Sequence, residues 1–312
     1  MNVIFMGTPA FAVPILAMLH EKHHVLLVVT QPDKPVGRKK ILTPSPVKQK
    51  ALELGIPLFQ PTKLKDDYDI VLQLHPDYLI TAAYGQMLPK ALIEQIQCIN
   101  VHGSLLPMYR GGAPIQYALF DGLNETGVTI MYMAYQMDSG DIIKQASIPI
   151  LLEDNYLTLS KRLSQLGTVL LEDVLIDLEK GIINRRPQNP NEVTFAYTLK
   201  SSDEILDFHQ PTQAIINKIR GLSPEPGATA HIKNLSLKFY KAKESDIIES
   251  KVSPGTILCL KKQFIIKTLD GAIEILEIQA PGKRQMSIKD FLNGQTILTE
   301  GDRFDEGSHS ND

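Results

Sequence analysis

Asn100, His102 and Asp138 are the residues whose types and spacing could do chemistry together. The first two stand in Asn100-Val101-His102-Gly103-Ser104-Leu105-Leu106-Pro107, the third in Met137-Asp138-Ser139-Gly140-Asp141. In an extended strand, residues two apart project to the same side. At the carboxyl end of a parallel strand, both would reach the crevice where open α/β sheets bind ligands. An amide, an imidazole and a carboxylate suit acyl transfer to an amine. The amide N–H can donate to the oxyanion that forms as a carbonyl becomes tetrahedral. The imidazole can take or relay the amine proton. The carboxylate can hold the imidazole tautomer and stabilise its charged form. The amine itself attacks, so no serine or cysteine nucleophile is required. From the residues alone, an Asn-x-His pair is more often structural than catalytic, and both readings stand at this point.

Three other clusters carry weaker signals. Gly7-Thr8-Pro9-Ala10-Phe11 is not GxGxxG, and Pro9 removes a backbone donor that a pyrophosphate cradle would use. A tight strand-to-helix turn accounts for it. His20, His23 and His24 have i, i+3, i+4 spacing but no further ligand nearby, which favours surface histidines over zinc. Between Lys34 and Lys48 the chain places Lys34, Arg38, Lys39, Lys40 and Lys48 with no acid among them. A solvated charge run is the ordinary explanation of such a cluster, and phosphate contact the alternative.

The elements that must position these groups follow from periodicity. Val3–Phe5, Val25–Thr30, Tyr78–Ala83 and Cys98–Val101 are compact apolar runs bounded by turn residues and read as buried strands. Pro14–His20, Pro46–Leu54 and Pro89–Gln95 between them read as helices. Such alternation implies βαβ units and a Rossmann-like parallel sheet. Gly127–Met133 and Ile142–Pro149 read as later strands around the Asp138 turn, and Thr158–Lys180 as a long amphipathic helix stopped at Gly181. Gly181–Ser202 has no periodicity. A short helix near Thr212–Arg220 precedes alternating runs such as Ser236–Lys241, Phe264–Thr268 and Ala272–Gln279, which suggest a small antiparallel, OB-like β-barrel. The expected organisation is a catalytic α/β domain over 1–190, a linker over 191–202, a barrel over 203–304 and a disordered tail over 305–312.

Composition sets outer limits. With 312 residues and 43% hydrophobic content, the chain can build two domains with real cores. No apolar run is long enough for a membrane helix, and the N-terminus lacks the charged and small-residue features of a secretory signal. Cys98 and Cys259 form no CxxC pair, which fits a reducing cytoplasm. Net charge is −3, and from Asp203 onward 14 basic residues face 16 acidic ones, so composition alone announces no nucleic-acid binder. Nothing demands more than a monomer.

Asn100–Pro107 together with Arg110-Gly111-Gly112-Ala113-Pro114-Ile115-Gln116 resembles the signature of the folate-dependent formyltransferase family, and Asp138 lies where that family has its acid. Thr30–Arg38 and Pro44–Lys48 resemble the inserted loop of its tRNA-acting branch, and Ala83–Pro89 the folate-side segment. Ile219–Pro224 and Pro226–Ala228 look like the entry to its C-terminal domain. The resemblance runs from Met1 to about Phe304. It implies metal-free transfer of formyl from 10-formyltetrahydrofolate to the amino group of methionine carried by initiator tRNA. It further implies Asn100, His102 and Asp138 as the catalytic trio. Folate would be contacted by Ser104, Leu105, Leu106, Pro107, Met87 and Leu88. The tRNA would be met by Arg38, Lys39, Lys40, Lys48 and the C-terminal barrel. Two positions depart from the family pattern: Glu225 stands where an aromatic residue is frequent, and Gln285 where a further base is frequent.

Other enzymes share such a catalytic half. A glycinamide-ribonucleotide transformylase would be shorter. A formyltetrahydrofolate hydrolase would transfer the formyl to water. A sugar-nucleotide formyltransferase would lack the Arg38 loop, and a non-catalytic RNA-binding module would not need the intact trio.

Overall fold

A computed structural model describes residues 1–37, 40–247 and 249–305. Arg38 and Lys39, and all of the expected tail except Asp305, lie outside the described residues. The chain forms two compact units. The first comprises Met1–Pro114, Glu125–Pro149 and Ser160–Tyr197, the second Ile115–Asn124, Ile150–Leu159 and Thr198–Asp312.

The elements of the first half, in chain order, are β1 (Asn2–Gly7), α1 (Val13–Lys22), β2 (His24–Val29), β3 (Lys34–Val36), β4 (Ile41–Thr43), α2 (Pro46–Glu53), β5 (Leu58–Phe59) and α3 (Asp69–Gln73). There follow β6 (Tyr78–Ala82), α4 (Lys90–Gln95), β7 (Cys98–His102), α5 (Pro114–Phe120), β8 (Glu125–Tyr132), β9 (Ile142–Pro149) and α6 (Tyr156–Glu179). The first unit is built on a seven-stranded sheet in the order β5-β2-β1-β6-β7-β8-β9. Its first five strands are parallel, and β8 and β9 continue it antiparallel. Val3, Ile4, Phe5 and Met6 are all fully buried. Burial on both faces is why the β1 run is continuously apolar rather than alternating.

Local chemistry fixes the element ends. Ser45 caps α2 by accepting the Lys48 backbone N–H at 3.1 Å, with Pro46 following in the first turn. On α6, a Cβ at Gly167 would press on the side chains of Val101 and Val128, so glycine lets this helix lie close to β7 and β8. Within the basic run, β3 and β4 pair antiparallel from Lys34 opposite Thr43 to Val36 opposite Ile41; Lys48 lies on α2.

The second unit holds α7 (Thr212–Gly221), β10 (Ala228–Ile232), β11 (Leu235–Glu244), β12 (Ile257–Cys259), β13 (Phe264–Lys267), β14 (Ala272–Gln279), β15 (Met286–Ser287) and α8 (Ile288–Gly294). Six strands form an antiparallel half-barrel in the order β10-β11-β14-β13-β12, with β15 on β14. Residues 303–305 span between its edge strands: Arg303 bridges to Thr256 beside β12, and the Asp305 N–H donates to His231 O of β10. Phe208, Phe239, Phe264, Phe291 and Phe304 fill the interior, with Phe264 and Phe291 stacked at 6.0 Å.

Candidate active site

Strand β7 delivers Asn100 and His102 to one side at its carboxyl end, and the turn between β8 and β9 delivers Asp138. Asn100 Nδ2 lies 3.5 Å from Asp138 Oδ1, and His102 Nδ1 lies 3.7 Å from Asp138 Oδ2. Three residues separated by up to 38 positions therefore meet around one carboxylate.

Each member is held by a neighbour. The Thr81 hydroxyl on β6 donates to Asn100 Oδ1 at 2.8 Å, which turns the amide N–H groups away from the strand and towards Asp138. The Tyr109 carbonyl lies 2.9 Å from His102 Nε2. A carbonyl can only accept, so Nε2 carries the proton and Nδ1 of the neutral ring presents a lone pair. The main-chain carbonyl thus fixes the tautomer, a role the sequence reading gave to Asp138. The Asp138 carboxylate faces the site because the Gly111 N–H donates to its Oδ2 at 2.8 Å. At Gly111 the backbone has φ +129°, and a Cβ would overlap the Ala196 carbonyl, so only glycine serves there. Asp138 itself is left-handed at φ 47°, a conformation uncommon for residues other than glycine.

The Ser104–Pro107 loop is anchored by Thr129 and by Gln145, whose Nε2 donates to Leu106 O at 2.8 Å. Thr129 Oγ1 donates to Ser104 O at 2.7 Å and accepts from the Leu106 N–H at 3.0 Å and from Gln145 Nε2 at 2.8 Å. Ser104 Oγ donates to Met108 O at 2.6 Å. Leu106 packs with Met131 and Ile142, while Leu105 and Pro107 are half-buried. On the neighbouring strand end, Met87 is exposed, whereas Leu88 is buried in the sheet core beside Tyr84. The Tyr84 carbonyl accepts from Thr8 Oγ1 and Gln31 Nε2, and burial pushes its phenol up to about 12.

Lys40, in the hairpin turn, is exposed. Lys48 is already engaged: its Nζ donates to both carboxylate oxygens of Asp33 at 2.9 and 2.8 Å. Hydrogen bonds from Gln60 and then Lys48 hold the Asp33 carboxyl below its usual range. The histidine cluster is dispersed: His24 Nδ1 contacts Asn2 Oδ1 at 3.0 Å, and His23 Nδ1 faces Glu179 at 3.6 Å.

Thr81, the Tyr109 carbonyl and Gln188 were not found from sequence. Thr81 lies inside an apolar strand run and carries no spacing signal. A carbonyl contribution is independent of residue type, and Gln188 stands in the aperiodic stretch after α6. Gln188 Oε1 accepts from Arg110 Nε and Nη2 at 3.0 and 2.7 Å, while its Nε2 donates to the carbonyls of Asp138 and Gly140, both at 2.8 Å. Burial lowers the Arg110 guanidinium from its usual range, opposed by the charge of Asp138.

An amide donor, a tautomer-fixed imidazole and a carboxylate at the carboxyl edge of an α/β sheet define a site suited to acyl transfer. Residues 1–175 match the model described as "Formyl transferase" and residues 198–296 that described as "Formyl transferase, C-terminal domain". The chain belongs to the formyl transferase family. Methionyl-tRNA formyltransferase of Listeria monocytogenes serotype 4a (strain HCC23) is 48% identical over 311 residues, covering 98% of this chain and 99% of that protein. The methionyl-tRNA formyltransferase structure from Clostridium thermocellum superposes with a TM-score of 0.57 at 16% identity, covering 87% of this chain and 100% of that one. HypX from Aquifex aeolicus in complex with tetrahydrofolic acid gives a TM-score of 0.66 at 17% identity, covering 93% of this chain and 46% of its own. Those two likenesses speak for the fold.

Proposed function

We propose that this chain transfers the formyl group of 10-formyltetrahydrofolate to the α-amino group of methionine carried by initiator tRNA. The observation that carries the reading is the intact trio of Asn100, His102 and Asp138 in a chain nearly half identical, end to end, to methionyl-tRNA formyltransferases. The crevice fits a folate co-substrate in one respect. The segments read as its contacts, Met87–Leu88 and Ser104–Pro107, follow the adjacent parallel strands β6 and β7 at their carboxyl ends. The side chains of Leu88 and Leu106 are committed to the core and the Ser104 hydroxyl is buried on Met108 O, so Met87, the half-buried Leu105 and Pro107, and the loop backbone are the groups left to touch the co-substrate.

The residues divide the work as follows. The attacking amine forms the new C–N bond, and Asn100 Nδ2 donates to the formyl oxygen as it gains negative charge. His102 Nδ1 takes the proton from the amine. Asp138, 3.7 Å away, offsets the resulting imidazolium charge, while the Tyr109 carbonyl keeps Nε2–H in place. His102 then returns the proton to the departing folate nitrogen as the old C–N bond breaks. Tetrahydrofolate and the formylated amine are the balanced products.

Lys40 of the β3–β4 hairpin and Lys48 of α2, with Arg38 and Lys39 of the same basic run, would contact acceptor-arm phosphates, a term that positions rather than reads sequence. The half-barrel would lie along the tRNA. The acceptor assigns the enzyme to the cytoplasm, where we expect it to act as a monomer without a metal ion. An acceptor panel tests the reading: methionyl initiator tRNA, methionyl elongator tRNA, free methionine and an amino-sugar nucleotide. Formylation of the initiator species above the others is expected; preference for the sugar amine would transfer the chain to the sugar-acting branch.

A further inference from the structure

The segment 176–197 falls between the two family models, which end at 175 and resume at 198. It is nonetheless stitched into the site. Arg186 and Ile142 exchange backbone hydrogen bonds, each 2.9 Å, at the start of β9. Further along the chain, the Arg110 N–H donates to Thr194 O and the Ala196 N–H to Arg110 O, at 2.9 and 2.8 Å. A strap thus crosses the site with both ends pinned, and Gln188 sits between the pins.

Gln188 uses its whole amide. Both protons on Nε2 go to carbonyls of the Asp138 turn, and Oε1 receives two donors from Arg110. The turn has no slack of its own. Asp138 is in the left-handed region at φ 47°, and a Cβ at Gly140 would overlap the Tyr132 carbonyl. Gln188 fixes this turn from the main-chain side, and the Gly111 N–H fixes it from the carboxylate side. Between them they set where Asp138 stands against His102 and Asn100.

We propose that Gln188 is a positioning residue for formyl transfer: it holds Asp138 at its distance from His102 without touching substrate. The proposal rests on the reading of Asn100, His102 and Asp138 as the reacting groups. A displaced carboxylate weakens a step in which charge develops on His102, whereas folate and tRNA are held by other groups. The defect should therefore fall on kcat and spare KM.

Gln188→Leu removes both pairs of bonds. Gln188→Glu keeps the Arg110 partner but sets a carboxylate against two carbonyls. Asn189→Ala, in the same strap, removes only the local bond to Glu192 and the cap on Asn191. Steady-state kinetics would be measured with whichever acceptor the wild-type protein uses, amine or water, so failure of the tRNA assignment is seen separately in the wild-type control. Both Gln188 variants should lose roughly 10–100-fold in kcat, with KM for each substrate within about threefold and melting temperature close to wild type. Asn189→Ala should match wild type. If Gln188→Leu kept kcat within twofold, or lost folate binding and melting temperature in step with kcat, the strap would be a structural staple and the proposal would be overturned.

Discussion

Asp138 Oδ2 stands 3.7 Å from His102 Nδ1 while accepting the Gly111 N–H at 2.8 Å. The carboxylate is bonded to the main chain and only faces the imidazole. In the proposed mechanism its part is to offset charge on the ring, because the Tyr109 carbonyl already decides which nitrogen holds the proton. Asp138→Asn should therefore lower kcat by roughly 10–100-fold, the size of one lost charge pair at this separation in a partly screened site. A loss near 10⁴, the size seen where a triad carboxylate sets the tautomer, would show that Asp138 governs the tautomer after all. Single-turnover kinetics at saturating folate makes the measurement.

Asn100 and Thr81 form a graded pair. Asn100→Ala removes the proposed oxyanion donor and should cost about 10²–10³ in kcat. Thr81→Val removes the hydroxyl bond that orients the amide, worth about 1 kcal/mol or some fivefold, along with longer contacts to Ile99 O and Met133 Sδ at 3.4 Å. In the double variant the Thr81 effect should vanish, since there is no amide left to orient. Additive losses would separate Thr81 from Asn100.

The hairpin makes an electrostatic prediction. Lys40 is exposed, whereas Lys48 is neutralised by Asp33. Lys40→Ala should lower the slope of log K against log salt for tRNA by about one, leaving the folate KM unchanged. Asp33→Asn should tighten tRNA binding by releasing Lys48. Weaker binding in Asp33→Asn would mean that the ion pair shapes the hairpin rather than masking a cation.

The two cysteines should behave differently. Cys98 is buried in β7 with its thiol pushed up to about 12, while Cys259 is partly exposed. Burial disfavours the Cys98 thiolate, and the thiolate is the reactive form. Alkylation of the native protein should label Cys259 alone, and both after unfolding. Native labelling at Cys98 would reveal opening of the sheet beside Asn100.

Much of this was legible in the sequence, for particular reasons. The strands β1, β2, β6 and β7 lie within two residues of their expected spans because buried parallel strands are uninterrupted apolar runs. Asn100 and His102 could be placed together because strand periodicity is rigid. The two-stranded hairpin was hidden, since its strands are three residues each and mostly polar or exposed. Thr81 and Gln188 were hidden for another reason. Their contribution comes from which atoms they meet across the fold, and neither periodicity nor local composition encodes that. The aperiodic stretch Gly181–Ser202 holds Gln188 because a strap laid along other strands needs no repeat of its own.

In the proposed mechanism this site moves a formyl group to the amine of methionyl-tRNA with His102 handling the proton. Single-turnover transfer from 10-formyltetrahydrofolate to methionyl initiator tRNA, with formyl-methionine and tetrahydrofolate both quantified, tests it most directly. The wild-type protein should yield the two products one for one, and His102→Ala should be slower by roughly 10²–10⁴ with its fold intact. Tetrahydrofolate accumulating without formyl-methionine, or a His102→Ala protein as fast as wild type, would contradict it.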